Sequence, residues 1–129
     1  MAKVNANKYA KNINIFKGDM LSPLIENNIK LDVIVCNPPY IEDIKTIDER
    51  TWKQEPHLAL LASPSTFFYE QIFKDHQKVM KPKFLLAFEI GEDMEEALTI
   101  LTKKYFDKCE HQFVKDIYDK TRFLFIKQE

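Results

Sequence analysis

The sequence predicts an α/β fold in which central parallel strands are followed by a C-terminal antiparallel hairpin. The run Val33–Cys36 is β-branched and nearly continuous, which is typical of a strand buried on both faces of a parallel sheet. A second apolar run, Phe84–Phe88, predicts another buried strand. Residues 111–118 and 121–127 alternate polar and apolar side chains and are separated by Asp119-Lys120, which predicts two strands joined by a tight turn.

The elements before the first buried strand are short. Residues 2–10 predict the last turns of a helix, and the alternation of residues 12–17 predicts a strand that leads into Gly18-Asp19-Met20. Ser22-Pro23 predicts the start of a short helix through Asn27, because serine caps helix starts and proline suits the first turn. Asn28 is well suited to end that helix.

Between and after the buried strands, two longer helices are expected. Residues 41–57 are charged and predict a long functional loop that Trp52 anchors. Ser65 can cap a helix over residues 66–80, whose apolar residues form one face. Residues 92–105 predict the clearest helix, with apolar residues at three- and four-residue spacing and acidic residues in its first turn.

The candidate site is the tetrad Asn37-Pro38-Pro39-Tyr40, which directly follows the first buried strand. The two prolines fix φ and remove two backbone donors, so the turn is stiff. Asn37 offers an amide oxygen, Pro38 offers a carbonyl, and Tyr40 offers a flat aromatic face. Two acceptors and an aromatic cover suit a planar NH₂ group, whose delocalised lone pair needs orientation rather than a strong base. The alternative interpretation is a turn that only terminates the strand.

Composition narrows the class of protein. The chain has 129 residues, 45% of them hydrophobic, which is enough for a core. A net charge of −1 provides no overall basic field for a nucleic-acid backbone. Cys36 and Cys109, the two cysteines, predict reduced thiols in the cytoplasm rather than a disulfide framework. No signal peptide or membrane span is recognisable, and the three histidines lack metal-ligand spacing.

Several motifs in register resemble the C-terminal half of the HemK-type release factor glutamine methyltransferases. The tetrad alone resembles the amino-methyltransferase motif of S-adenosylmethionine (AdoMet) enzymes, a motif that adenine-N6 DNA methyltransferases and protein-glutamine methyltransferases share. The several matching segments together favour the protein-glutamine methyltransferases, and the resemblance extends from about Asn5 to Lys127. The matching segments, in order, are Asp32–Ile41, Glu55-Pro56 with Ala59-Leu60, Phe68-Tyr69 with Ile72, Lys81-Pro82, and Phe88–Gly91.

The resemblance implies residue roles in methylation of the glutamine amide in the Gly-Gly-Gln motif of peptide-chain release factors. Asn37 and Pro38 would orient the amide, Pro39 would stiffen the turn and Tyr40 would stack on the substrate. Asp19 and the backbone N–H of Met20 would contact the adenine of AdoMet, with Asn37 also beside the cofactor. Asp116, Asp119 and Arg122 fall where the family has a polar turn and an arginine.

The resemblance also implies that parts of the family's catalytic domain are missing. The glycine-rich cofactor loop, the ribose-binding acid and the N-terminal substrate-recognition domain have no counterpart here, so residues 1–129 are expected to form one partial catalytic domain that does not work alone. With the first two strands missing, the edge of Val33–Cys36 would pair with residues 13–16 in a rearranged sheet or with a second copy of the chain. The alternative functions are an adenine-N6 nucleic-acid methyltransferase and a non-catalytic, partner-binding α/β module.

Overall fold

The computed structural model describes residues 2–9, 12–40 and 65–129. Within them, two helices come first, strands and helices then alternate, and two consecutive strands come last. The predicted loop over residues 41–57 and the matching residues Ala59-Leu60 lie outside the described residues. In chain order, the described elements are α1 (Ala2–Tyr9), α2 (Ser22–Glu26), β1 (Leu31–Cys36), α3 (Phe67–Val79), β2 (Met80–Glu89), α4 (Glu95–Tyr105), β3 (Glu110–Lys115) and β4 (Thr121–Gln128).

The strands of the described residues form one four-stranded sheet in the order β1-β2-β4-β3. β1 lies parallel to β2, with Ile34 opposite Leu86, and β2 lies antiparallel to β4, with Leu86 opposite Ile126. β3 and β4 form an antiparallel hairpin in which Phe113 is opposite Leu124. This arrangement confirms the predicted parallel strands and C-terminal hairpin.

The core lies between one face of this sheet and the helices α3 and α4. Leu86 of β2 and Leu124 of β4 are fully buried on that face, as are Phe73 of α3 and Leu98 of α4. Phe73 is central to the core, because its ring lies 5.6 Å from that of Phe88 and 5.0 Å from that of Phe106, both edge to face. Burial of these large apolar side chains is the main stabilising contribution to the fold.

The opposite face of β1 differs from the sequence-based prediction. Val33 and Val35 are 49% and 82% exposed, whereas Ile34, which points to the helices, is buried. The prediction that this strand is buried on both faces is therefore wrong for the described chain. A continuous apolar run shows that both faces of a strand could be buried, but it does not show that a second layer of structure covers the outer face.

Residues 12–17 form no strand, which contradicts the predicted strand and its pairing with the edge of β1. Ile13 and Phe16 are 55% and 44% exposed. Alternation provides a suitable side-chain pattern, but a strand also needs a partner for its backbone groups. β1 accordingly remains at the edge of the described sheet.

Several predicted helix ends shift by one to three residues. The N-cap of α2 is Leu21 rather than Ser22, and Pro23 lies in the first turn. Asn28, at φ 53°, follows the end of α2 as predicted. The N-cap of α3 is Thr66 rather than Ser65. α4 begins at Glu95 rather than at residue 92, because a turn closed from Met94 N–H to Gly91 O precedes it.

Candidate functional site

The tetrad Asn37–Tyr40 follows β1 directly, at the edge of the sheet where β1 and β2 both end. Asn37 is exposed, Pro38 is buried, and Pro39 and Tyr40 are half-buried. Parallel pairing aligns Cys36 with Phe88, so the last residues of β2 lie beside the tetrad. Open α/β sheets bind ligands at this edge. The structure therefore brings the four predicted catalytic residues together at a suitable position.

A cavity of 220 Å³ lies next to Asn37 on the open face of the sheet. Its walls are apolar, from Val35 of β1 to Phe123 and Phe125 of β4, and its polar side chains are Asn37 and Glu89. Sequence reasoning assigned no role to Glu89. The signal that could have identified it is the one that identified Asn37, namely a polar residue at the end of a buried parallel strand.

Tyr40 is enclosed by residues that follow β2 and begin β4. A Cβ atom at Gly91 would lie 3.2 Å from Cδ2 of the Tyr40 ring. The Arg122 guanidinium lies near enough to the Tyr40 phenol for the two groups to interact electrostatically. The ring therefore has a defined position in the structure.

Arg122 also binds two other groups. Its Nε lies 3.3 Å from Asp116 Oδ2, and its Nη1 lies 3.5 Å from the carbonyl oxygen of Ile90. Burial lowers the pKa of Arg122, but the hydrogen bond and charge of Asp116 and the nearby Tyr40 phenol raise that pKa by more. The guanidinium is therefore charged, and Asp116 and the carbonyl oxygen of Ile90 orient it.

The buried hydroxyl of Tyr69 in α3 connects that helix to the site. It donates a 2.6 Å hydrogen bond to the carbonyl oxygen of Glu89. Burial first, then the neighbouring Tyr40, Cys36 and Glu89, raise the pKa of Tyr69 far above its ordinary value. Burial likewise raises the pKa of the Cys36 thiol. Both groups are therefore protonated near neutral pH and serve packing and positioning, not nucleophilic chemistry.

The predicted cofactor residues Asp19 and Met20 lie in a tight turn before α2. The Ser22 N–H donates to the carbonyl oxygen of Asp19 at 2.9 Å, and Met20 adopts a φ of 47°. The Pro23 ring packs so closely on Gly18 that a Cβ atom there would overlap it. Asp19 is exposed. In the described part of the chain, no hydrogen bond or ion pair joins Asp19 to the tetrad.

Other site chemistry is not found in the described ranges. Residues 2–9, 12–40 and 65–129 contain no group of three or more histidine, cysteine, aspartate or glutamate residues arranged to hold a metal ion. Both cysteines are free thiols. None of the described helices is long and apolar enough to cross a membrane.

The fold is that of part of a class I methyltransferase. A solved protein-(glutamine-N5) methyltransferase (release factor-specific) from Alicyclobacillus acidocaldarius superposes with a TM-score of 0.57 at 19% identity, covering 84% of this chain and 55% of that one. SMU.776, described as a methyltransferase and solved in complex with SAH, superposes with a TM-score of 0.52 at 12% identity, covering 90% of this chain and 30% of that one. No family model matches the chain.

Sequence similarity identifies the chain more narrowly, as a relative of the release factor glutamine methyltransferases. The enzyme of that name from Staphylococcus aureus is 38% identical over 98% of this chain and 47% of its own length. Those from Bacillus subtilis and Bacillus anthracis are 37% and 34% identical, over 95% and 100% of this chain and 43% and 47% of their own lengths. The chain thus spans about half the length of the curated relatives it matches. The resemblance inferred from the motifs is confirmed.

Proposed function

We propose that this chain provides the amide-binding part of an AdoMet-dependent methyltransferase that modifies the glutamine of the Gly-Gly-Gln motif in a peptide-chain release factor. The observation that carries the proposal is the position of Asn37, exposed at the carboxyl end of β1 and beside a cavity. Similarity to release factor glutamine methyltransferases over nearly the whole chain supports the choice of substrate.

In this proposal the tetrad acts by holding an NH₂ group. The Asn37 side-chain oxygen and the Pro38 carbonyl oxygen accept its two hydrogens, and the Tyr40 ring covers one face. An amide nitrogen is a poor nucleophile, because its lone pair is delocalised into the carbonyl group. Fixed acceptors help by orienting the nitrogen and by stabilising the positive charge that develops on it. Bound AdoMet supplies the electrophilic methyl group.

The turn at Asp19 and Met20 fits one end of AdoMet. The exposed Asp19 carboxylate is an acceptor suited to the adenine amino group, and the backbone N–H of Met20 is a donor suited to the adenine ring. The positive φ of Met20 and the contact between Gly18 and Pro23 hold this turn in one shape. In this proposal Asn37 also contacts the cofactor, because it lies where the methyl group of AdoMet must meet the substrate amide.

The amide site can be tested by titrating the full chain with a Gly-Gly-Gln peptide and observing side-chain amide resonances by NMR. The Asn37 side-chain signal should shift with the glutamine peptide. It should not shift with a Gly-Gly-Glu peptide, because the glutamate side chain lacks the NH₂ group. Asn37→Ala should abolish saturable binding, whereas Asn12→Ala, at an exposed asparagine outside the site, should leave it unchanged. Equal binding of the two peptides would refute amide recognition by the tetrad.

The methylation itself can be tested with radiolabelled AdoMet and a release factor. In the full chain, or in an assembly that contains it and methylates the release factor, Asn37→Ala should lower turnover by about 10²-fold, since orientation and fixed polar contacts act on that scale. Asn12→Ala again provides the matched control. Near-normal methylation by Asn37→Ala would refute the assigned role.

The proposal extends to the cellular location of the chain and to its association with a second copy. The free thiols of Cys36 and Cys109 support a cytoplasmic location. β1 lies at the edge of the described sheet, and its Val35 is 82% exposed on the open face, which supports association with a second copy of the chain, because unpaired strand edges are templates for pairing. Sedimentation equilibrium should therefore detect a dimer that Val35→Lys weakens and that Ile117→Lys, at an equally exposed turn residue, does not. A concentration-independent monomer would refute this association.

A further inference from the structure

We propose that Arg122, Asp116 and Gly91 act together as a positioning unit that fixes the ring of Tyr40 at the amide site. The inference rests on the proposed function in so far as Tyr40 contacts the substrate. None of the three residues is assigned a contact with substrate or cofactor. Their effect is exerted through Tyr40, from the segment after β2 (Gly91), the turn between β3 and β4 (Asp116) and the start of β4 (Arg122).

Arg122, at the start of β4, holds the Ile90-Gly91 backbone against which the Tyr40 ring packs. Its side chain is 24% exposed, so its hydrogen bonds are partly shielded from water. The guanidinium donates to Asp116 Oδ2 and to the carbonyl oxygen of Ile90, so it joins the turn before β4 to the segment after β2. The Tyr40 phenol lies near enough to interact with the charge of the guanidinium. The backbone adds a third hydrogen bond, because the Ile90 N–H donates to the Arg122 carbonyl oxygen at 2.8 Å. The planar donor geometry of arginine suits this arrangement, whereas a single lysine ammonium does not reproduce it.

Asp116 is itself rigidly held. Its Oδ1 accepts from the backbone N–H groups of Tyr118 at 2.8 Å and Lys120 at 3.1 Å, which is an Asx-type turn closure. Its own backbone N–H donates to the Lys120 carbonyl oxygen at 2.9 Å. One carboxylate oxygen is thus used to build the turn, and the other is left to orient Arg122. This division gives the carboxylate a defined orientation toward the site.

Gly91 limits the Tyr40 ring from another direction. A Cβ atom there would lie 3.2 Å from Tyr40 Cδ2 and 3.2 Å from Met94 Sδ, which is tighter than ordinary van der Waals contact. No described glycine has a positive φ, so backbone conformation is not the reason for glycine at this position. The reason is the close approach of the Tyr40 ring to the backbone.

The experiment uses the full chain with ¹³C-labelled tyrosine, and the Tyr40 ring signals are assigned by their loss in Tyr40→Phe. Arg122→Lys and Asp116→Asn should both shift the Tyr40 signals while leaving those of buried Tyr69 in place. Asp119→Asn is the matched control, because it removes a carboxylate from the same turn, where Asp119 has a φ of 63° that asparagine tolerates. It should leave the Tyr40 signals unchanged.

Gly91→Ala is a second variant that leaves both charges in place. It should also shift the Tyr40 signals, because the ring must move by a few tenths of an ångström to admit the methyl group. Unchanged Tyr40 signals in folded Gly91→Ala and in folded Arg122→Lys would overturn the inference. If the charge variants do not fold, Gly91→Ala decides the question alone.

Peptide affinity separates this inference from the proposed function. Arg122→Lys should bind the Gly-Gly-Gln peptide roughly 3- to 10-fold more weakly, the effect expected from loss of one well-placed contact. Displaced Tyr40 signals with unchanged peptide affinity would support the positioning unit and refute the substrate contact assigned to Tyr40. Unchanged Tyr40 signals together with normal binding of the glutamine peptide would overturn the positioning unit and leave the proposed function intact.

Discussion

Removing the hydroxyl of Tyr69 should lower both the stability of the chain and the order at the end of β2. Tyr69 is fully buried, and its hydroxyl donates a 2.6 Å hydrogen bond to the Glu89 carbonyl oxygen, two residues before Gly91. Tyr69→Phe keeps the ring and its packing on Phe88, at 5.7 Å between centroids. The substitution therefore isolates one hydrogen bond that joins α3 to the site.

The expected cost follows from the burial of Tyr69 and the partial burial of its hydrogen bond to Glu89. A net hydrogen bond contributes about 0.5–1.5 kcal/mol, and an acceptor left buried without its donor costs about 1–3 kcal/mol. We expect Tyr69→Phe to lower the free energy of unfolding by about 1–2 kcal/mol. For a chain of this length that corresponds to a fall in Tm of about 4–7 °C.

The control for this prediction is Tyr118→Phe, at a tyrosine that is 76% exposed. Its effect should stay within about 0.5 kcal/mol, as for most surface substitutions. Calorimetry of both variants, with amide hydrogen exchange at residues 89–91, measures stability and local order together. A Tyr69→Phe variant no less stable than Tyr118→Phe would show that the buried hydroxyl contributes nothing.

Three further predictions concern stability. Gly18→Ala should destabilise the chain by about 1–3 kcal/mol in urea unfolding, because its Cβ overlaps the rigid Pro23 ring, and adding Pro23→Ala should recover part of the loss. The hydrogen bond from Tyr105 lowers the pKa of Glu70 from its ordinary value of 4.5, so Glu70 stabilises the fold above that value and loses this effect as pH falls through its folded-state pKa. The fall in Tm below pH 4.5 should be shallower in Glu70→Gln. Thr102→Val should stabilise the chain by about 1 kcal/mol in thermal unfolding, since the buried Thr102 hydroxyl has no hydrogen-bond partner in the described structure; a destabilised variant would contradict this reasoning.

Hydrophobic pattern was sufficient to predict the sheet and its helices, because burial on one face leaves a periodic signal. The alternation around Phe113 and Leu124 predicted the hairpin, and the helical spacing around Leu98 predicted α4. Pattern was insufficient for residues 12–17, whose alternation is genuine but whose backbone has no strand partner. It was also insufficient for Val35, since an apolar side chain does not determine whether another layer covers it.

Part of the candidate site could be predicted in the same way. Asn37 was identified because it ends a strand with a strong apolar signal, and the structure places it at the carboxyl edge of the parallel pair. Glu89 ends the neighbouring strand and was missed, although it lines the same cavity. The tetrad drew attention because two adjacent prolines are rare and conspicuous, whereas a single glutamate at a strand end resembles many surface residues.

Arg122 could not be assigned to the site by the rule that found Asn37, and the topology explains why. That rule considers the ends of parallel strands, because their carboxyl termini meet at one edge of the sheet. β4 runs antiparallel to β2, with Phe123 opposite Glu89, so the start of β4 is the end that lies beside the tetrad. In a sheet that ends in an antiparallel hairpin, the site-facing residues of the last strand are therefore its first ones, together with the turn before it. Arg122 and Asp116 meet this condition, and the same reasoning can be applied to other sequences in which a strand-ending site motif is followed by a C-terminal hairpin.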